Sequence, residues 1–371
     1  MMIKEVTTPK DLKAFVRFPK ELYADCPYFV PPLEKGEIET MTQHPALSFC
    51  DAKYWLAYRD GRIVGRIGGV VNHKCNELKG QKRVRFGWFD VIDDLEVARA
   101  LIDTVEQWGR EKGMTEISGP SRFSNMEKQA LLVDGFDNTP SIVSDYNYPY
   151  YPTLLEQLGF VKEVDYIQYK VPVGNKVPEK IKHLSELLSK KYNIHLRHFS
   201  KKKELKESGK EFFHVLNESY IHIYNFIPLT EEEIDWAVDH NFQVANVELS
   251  SMLENGEGHL VGFAFSLPSL SEAYKKAKGS LFPFGWIHIL RALKKNKSVD
   301  MYLTGVLPQY YHSGIHVIYH QQLHEAFIKH GFEYAYSSQQ LEDNTAARIW
   351  PKYGGEIIAR KRCYKKSLTH E

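Results

Sequence analysis

Apolar residues recur with a helical period between Asp93 and Gly113. Val97, Leu101, Val105 and Trp108 follow one another at spacings of four, four and three, which places them on one helical face. Asp93 and Asp94 open that helix, and Gly113 ends it. Residues 54–71 (YWLAYRDGRIVGRIGGVV) predict a hairpin. Trp55 and Ala57 precede the turn signal Arg59-Asp60-Gly61, and Ile63, Val64 and Ile67 follow it. Residues 83–91 predict a strand, as do 115–118 and 164–171. Between the last two, Pro152 opens a short helix that stops at Gly159.

The same order returns in the second half. Glu257-Gly258 turns the chain into a strand over 260–267, and 301–306 predicts the next. Ile315, Ile318, Tyr319, Leu323, Ala326 and Phe327 form one helical face, and Gly331 ends that helix. A strand over 334–337, a short helix over 345–353 and a strand over 356–364 follow. The two endings align as LEQLGFVKEVDYIQYKV against WPKYGGEIIARKRCYKK. Gly113 and Gly159 stand 46 residues apart, Gly331 and Gly354 only 23, so the first half carries 23 extra residues, near 121–146. The pattern is that of a duplicated unit of α/β (α+β) class. It predicts two tandem domains, 1–174 and 175–371, each a mixed, mostly antiparallel sheet flanked by helices. Residues 172–178 (PVGNKVP) serve as the linker.

A length of 371 residues agrees with two domains. Lys and Arg number 48 against 47 Asp and Glu, so no overall field draws in nucleic acid, which is not an expected partner. Cys26, Cys50, Cys75 and Cys363 are scattered without CxxC spacing, as suits free thiols in a reducing compartment. Residues 1–20 carry charges throughout and do not make a signal peptide. No run of eighteen apolar residues exists to form a transmembrane segment. A cytoplasmic location is expected.

Residues 306–316 (VLPQYYHSGIH) join a predicted strand to a predicted helix. At such a junction the first backbone N–H groups and the helix dipole can hold a phosphate. Ser313, Gly314, Ile315 and His316 are the candidate donors, and a plain helix start capped by Ser313 is the alternative. The matching segment of the first half, 92–97 (IDDLEV), has no glycine and three carboxylates. Acids suit a helix start but repel a pyrophosphate. That half is expected to be structural, or to bind the acceptor.

His312, His316, His320 and His324 recur every four residues. Each such step turns about 40° around the helix, so the four cannot converge on one ion. A solvated face and no metal are expected. Residues 280–293 (SLFPFGWIHILRAL) lie between Lys275, Lys276, Lys278 and Lys294, Lys295, Lys297. A buried helix packed on the second sheet is expected there. A membrane-surface helix or the wall of an acyl-chain groove are the alternatives. Thr230-Glu-Glu-Glu233 is a capping box.

The element order over 299–371 resembles the coenzyme A-binding half of the GNAT acyltransferase fold. That family carries Arg/Gln-x-x-Gly-x-Gly/Ala between strand and helix. Gly314 matches its middle glycine, while Tyr311 and His316 depart from its ends. The resemblance implies acyl-CoA or a related acyl thioester as co-substrate, held by Val306, Ser313, Gly314, Ile315, His316 and Asn344. The family's Asn…Tyr-x-x-x-Gly-Phe pattern supplies a tyrosine that protonates the departing thiolate. Asn344, Ala347 and Gly354 fit that pattern, but the tyrosine position falls on Trp350, and on Leu155 in the first half. Tyr353 and Tyr311 are the catalytic candidates that remain. Across the chain, Phe18-Pro…Leu22-Tyr, Pro27-Tyr-Phe-Val-Pro-Pro-Leu33, Asp60-Gly-Arg-Ile-Val-Gly-Arg66, Leu132-Val-Asp-Gly-Phe136, Tyr148-Pro-Tyr-Tyr-Pro152 and Phe226-Ile-Pro-Leu-Thr230 resemble an uncharacterised bacterial family of tandem GNAT-like proteins. The architecture is also similar to that of N-acyl amino acid synthases.

The implied activity is acyl transfer from acyl-CoA or acyl carrier protein to a small-molecule amine, with the donor on the C-terminal domain and proximity supplying much of the acceleration. Two rivals stand beside it. An aminoacyl transferase using charged tRNA requires a basic groove. A non-catalytic binding module requires none of the missing motif residues.

Overall fold

The computed structural model describes residues 1–242 and 244–369, and their side chains except those of Asn241, Thr345, Ala346 and Arg348. Residues 1–174 contribute strands β1 (Met2–Glu5), β2 (Cys50–Arg59), β3 (Arg62–Asn72), β4 (Arg83–Val91), β5 (Glu116–Gly119), β6 (Leu131–Asp134) and β7 (Val161–Pro172). Their helices are α1 (Pro9–Leu22), α2 (Glu34–Gln43), α3 (His73–Lys79), α4 (Leu95–Glu111) and α5 (Tyr150–Gln157). Later residues contribute β8 (Ile194–Leu196), β9 (Ser250–Asn255), β10 (Leu260–Pro268), β11 (Ser298–Val306), β12 (Tyr334–Tyr336), β13 (Gln340–Leu341) and β14 (Glu356–Ser367). Their helices are α6 (Glu179–Tyr192), α7 (Lys202–Glu207), α8 (Gly209–Tyr220), α9 (Glu231–Asn241), α10 (Ser271–Ala277), α11 (Gly285–Lys294) and α12 (His316–Lys329).

Local chemistry explains these boundaries. The Asp94 carboxylate caps α4 by accepting the N–H groups of Glu96 and Val97 at 2.9 and 3.1 Å. Val97, Leu101 and Val105 are then fully buried against the sheet. Gly65 permits that approach, because a Cβ there would lie 2.7 Å from Leu101 Cδ1. The capping box of α9 forms as predicted: Glu233 N–H donates to Thr230 Oγ1, and Thr230 N–H to Glu233 Oε2.

One sheet runs β1-β2-β3-β4-β5-β14-β7-β12-β11-β10-β9-β8. Its centre is an exchange. β7 closes the first repeat yet pairs antiparallel with β12 of the second, from Tyr334↔Pro172 to Tyr336↔Lys170. β14 closes the second repeat yet pairs with β5 of the first, from Tyr364↔Gly119 to Ser367↔Glu116. The two endings that align in sequence pair with each other, from Glu356↔Lys170 to Lys365↔Val161. Arg362 faces Asp165 across this pair in a two-point ion pair at 2.7 and 2.9 Å.

Each repeat has one parallel pair that parts after three residues. β4 and β5 pair from Arg83↔Glu116 to Arg85↔Ser118. β11 and β12 pair from Ser298↔Tyr334 to Asp300↔Tyr336. The first opening is filled. Ser121 N–H closes onto Phe86 O at 2.8 Å, and Phe86 and Phe123 are fully buried there. Beyond it, Val91 N–H donates to Tyr151 OH, and Tyr150 OH donates to Val91 O. The second opening is not filled, and a cavity lies beside it.

Residues 280–293 depart from expectation. α11 packs on α10 and touches β10, but only Gly285 within it is buried. Phe284, Trp286 and Leu290 are exposed, so the apolar run that predicts a buried helix lies at the surface instead.

Candidate active site

The cavity beside the β11–β12 opening has a volume of about 760 Å³, within the roughly 300–1,000 Å³ usual for ligand sites. One wall is apolar: Phe212 and Phe213 of α8, Phe242 after α9, and Phe265 and Leu267 of β10. The other wall is polar and comes largely from the first repeat, with Asn125, Glu127, Gln129, Ser144, Tyr166 and Gln168. Most of these polar residues belong to the 121–146 stretch, the extra segment of the first repeat. Asn125 Oδ1, Gln129 Oε1, Tyr166 OH and Glu233 Oε1 are buried without a hydrogen-bond partner among the described residues, and all four residues line the cavity. A buried polar group left unpaired costs about 1–3 kcal/mol. Four in one cavity mark a place where a polar ligand or water completes the bonding.

Glu127, His44 and Asp300 are among the ionisable groups that line this cavity. Glu127 Oε2 accepts Phe123 N–H at 2.8 Å and Ser124 N–H at 3.4 Å. Its Oε1 lies 3.9 Å from His44 Nε2, and the carboxyl is 14% exposed. Burial pushes its pKa up to about 7, against the opposing pull of Arg122. His44 Nδ1 accepts Ala46 N–H at 3.1 Å, so the neutral ring carries its proton on Nε2, toward Glu127. Burial lowers the His44 pKa and keeps the ring neutral. Asp300, on β11 at the mouth of the opening, accepts from Ser141 Oγ at 3.1 Å and Tyr302 OH at 3.2 Å. Burial raises it to about 6. A carboxyl group that titrates near neutrality on a cavity wall suits proton transfer.

Beneath Glu127 an ion cluster fixes the wall. Arg122 Nη1 donates to both Glu37 oxygens at 3.1 Å, and Nη2 to Asp145 at 3.3 Å. Its guanidinium lies 4.5 Å over the Trp88 ring. Burial would raise the Glu37 pKa, but Arg122 and Lys128 outweigh it and hold that pKa below the ordinary range. Arg122→Met therefore leaves Glu37 charged, buried and unpaired, and destabilises the fold by about 3–5 kcal/mol. Denaturant unfolding checks this: R122M/E37M should regain part of the loss, and an R122M curve superimposable on the parent would refute it.

The residues singled out in sequence separate in space. Asn344 lines the large cavity. Val306 ends β11, paired with Gly262 on its β10 side. Ser313, Gly314, Ile315 and His316 form the turn that enters α12, with Gly314 at φ +85°. Ser313 Oγ accepts Ile315 N–H, while the N–H groups of Gly314 and His316 have no partner among the described residues. Tyr311 reaches from this turn and donates to Ser219 O at 2.7 Å, next to the cavity residue Tyr220. The turn and the cavity are thus neighbours, joined through Tyr311. Tyr353 stands apart, in a small apolar pocket of about 60 Å³ with Trp350, Ile181 and His320.

Apart from His312, which is exposed, the histidine row is not a solvated face. His320 packs edge-on against Trp350 at 5.6 Å and His316 at 5.9 Å, and burial lowers its pKa to about 3. His324 Nε2 bonds Val173 O at 2.6 Å. A four-residue spacing shows that the rings share one side of the helix, but not that Trp350 covers it. Among the described residues no group of three or more His, Cys, Asp or Glu is arranged to hold a metal. The sequence gives no sign of His44, Glu127 and Asp300 as a group, because 83 and 173 residues separate them. A surplus of polar residues in 121–146 is the signal that could have found Glu127.

No family model matches the chain. Among solved structures it is similar to a tandem GNAT protein from the clavulanic acid biosynthesis pathway, at TM-score 0.58 and 12% identity, over 100% of this chain and 99% of that one. It is also similar to a GCN5-related N-acetyltransferase from Sphaerobacter thermophilus, at TM-score 0.55 and 13% identity, over 100% and 96%. These likenesses show the fold, a tandem GNAT. In sequence, protein YghO of Escherichia coli (strain K12) is 29% identical over 377 aligned positions, covering 99% of this chain and 95% of the relative. The bacterial ceramide synthase of Caulobacter vibrioides is 30% identical over 309, covering 81% of this chain and 79% of the relative. On that coverage, the chain belongs to the family of this bacterial ceramide synthase, which is built here on two GNAT-like repeats.

Proposed function

We propose that the chain is an N-acyltransferase that joins a long acyl group, carried as a thioester, to the amine of a long-chain amino alcohol. The carrying observation is the cavity beside the β11–β12 opening, with an apolar wall for chains and Glu127 on its polar side. A ceramide is the amide of such a pair, so the named relative fits the same chemistry. We assign the donor to the second repeat, 175–371, with the turn at Ser313–His316 on the phosphate end of acyl-CoA. The free N–H groups of Gly314 and His316 fit an anion there.

In this scheme the amine nitrogen attacks the thioester carbonyl carbon, and the carbonyl oxygen takes the negative charge. Glu127 takes the proton that the nitrogen sheds. The C–S bond then breaks, the carbonyl re-forms, and the thiolate leaves as a tolerable leaving group without an obligatory acid. Holding amine and thioester together supplies much of the rate.

Among the described residues no lysine or arginine lines the cavity, which disfavours charged tRNA as donor. An unfilled cavity likewise counts against the non-catalytic binding module, which a filled groove would support.

Native mass spectrometry with a panel of short- and long-chain acyl-CoAs is the direct test. A bound long-chain species and its amide product on adding a long-chain amine are expected. Absence of any adduct, together with absence of product, refutes the proposal. Gly314→Asp places a carboxylate at the α12 entry and should weaken acyl-CoA binding by roughly tenfold. Gly314→Asn tolerates the same positive φ without charge and should bind nearly as the parent does. Equal binding by both variants would remove the phosphate from this turn.

A further inference from the structure

Residues 281–290 expose an unusual amount of apolar surface. Phe282 is 80% exposed, Phe284 68%, Leu290 54% and Trp286 44%. Trp286 and Leu290 share one face of α11 at a spacing of four. Single exposed apolar residues need no explanation, but four large ones within nine residues form a patch. Lys276, Lys278, Arg291, Lys294 and Lys295 flank it in sequence and are exposed, and none makes an ion pair among the described residues. Lys275 and Lys297, by contrast, are paired with Glu272 and Glu333.

The same segment has a second side. Leu281 and Ile289 line the large cavity. The apolar patch and the apolar end of the cavity are therefore two sides of one short stretch of chain.

We infer that residues 281–290 dock on the surface of an anionic lipid bilayer, and that long-chain substrate passes from the bilayer into the cavity beside Leu281 and Ile289. Aromatic and leucine side chains enter the headgroup boundary while the unpaired lysines meet anionic headgroups. No helix of the described residues is long and apolar enough to cross a membrane, so the contact is peripheral. Docking removes the water gap that a long-chain amine would otherwise cross. The passage of substrate rests on the acyl-transfer proposal; the docking does not.

Co-sedimentation of the full chain with vesicles tests this. One set is phosphatidylcholine alone, the other phosphatidylcholine with phosphatidylglycerol. The parent should pellet with the anionic set. F282S/F284S changes two exposed side chains outside the cavity wall, so the fold should hold by circular dichroism while vesicle affinity falls on the order of tenfold or more. K294E/K295E should lose on the order of fivefold for each cation removed. No pelleting with either set, or pelleting unchanged in F282S/F284S, overturns the docking. So does a vesicle-free dimer of the parent that F282S/F284S dissociates, since the patch would then join two copies. Transfer to a short, water-soluble amine without vesicles is measured in parallel and should be equal in parent and F282S/F284S. Vesicle binding without any transfer sinks the acyltransferase proposal alone; transfer without vesicle binding sinks the docking alone.

Discussion

In Glu127→Gln, kcat/KM for acyl transfer falls by roughly 10²- to 10⁴-fold, the usual worth of a positioned proton acceptor. Glutamine keeps the shape and can still accept from Phe123 N–H, which holds Oε2 at 2.8 Å. It cannot take the amine proton. The parent's rate should rise with pH through about 7, where the carboxyl loses its proton, and this limb should vanish in the variant. Stability should respond in the opposite sense. Burial raises the folded pKa above the ordinary value near 4.5, so the fold prefers the protonated acid. That contribution is fully present below the ordinary pKa and is lost as pH rises through about 7. Glu127→Gln removes this loss, so its melting temperature should gain on the parent's as pH rises from about 4.5 to about 7, and keep that gain above. A pH-rate limb that persists unchanged in the variant would move the proton acceptor elsewhere, with Asp300 next in line.

Truncation after Gly355, which deletes β14, should yield no soluble folded protein. An ordinary sheet loses its edge when its last strand is removed, but here the last strand lies at the centre. β14 pairs with β5, β6 and β7, and Lys361, Cys363 and Tyr364 on it are buried. Without it β5 and β7 each present an unpaired edge in the middle of the molecule. The fragment 1–174 should fail for the same reason when made alone. Co-produced with 175–371 it should be recovered as a complex, since each fragment holds the strand the other lacks. A monomeric, cooperatively unfolding 1–174 fragment would show that the exchange is dispensable.

Much of this architecture is legible in the sequence because period and punctuation are local. Val97, Leu101 and Val105 announce a helix face whatever lies opposite, and Asp94 caps it in the predicted place. The repeat is visible in the two aligned endings. The exchange of those endings is not, since β7 and β14 would carry the same pattern beside either partner. The site is the least legible part. Gly314 and the α12 entry stand out as a motif, yet the polar wall is assembled from His44, Glu127 and Asp300, each ordinary in its own surroundings. Burial is the largest influence that moves Glu127 to about 7, and burial is a property of the fold. Residues 280–293 mislead for the converse reason: an apolar pattern says that a surface wants covering, not what covers it.

The exchanged centre also sets an order of events during synthesis. β1 to β5 and β7 leave the ribosome early, but the strand that belongs between β5 and β7 follows every other strand of the sheet. The first repeat must therefore wait, with two strand edges open, until β14 emerges. Until then that half has its own aromatic packing, Phe86 on Phe89 and Phe89 on Tyr151, to hold it.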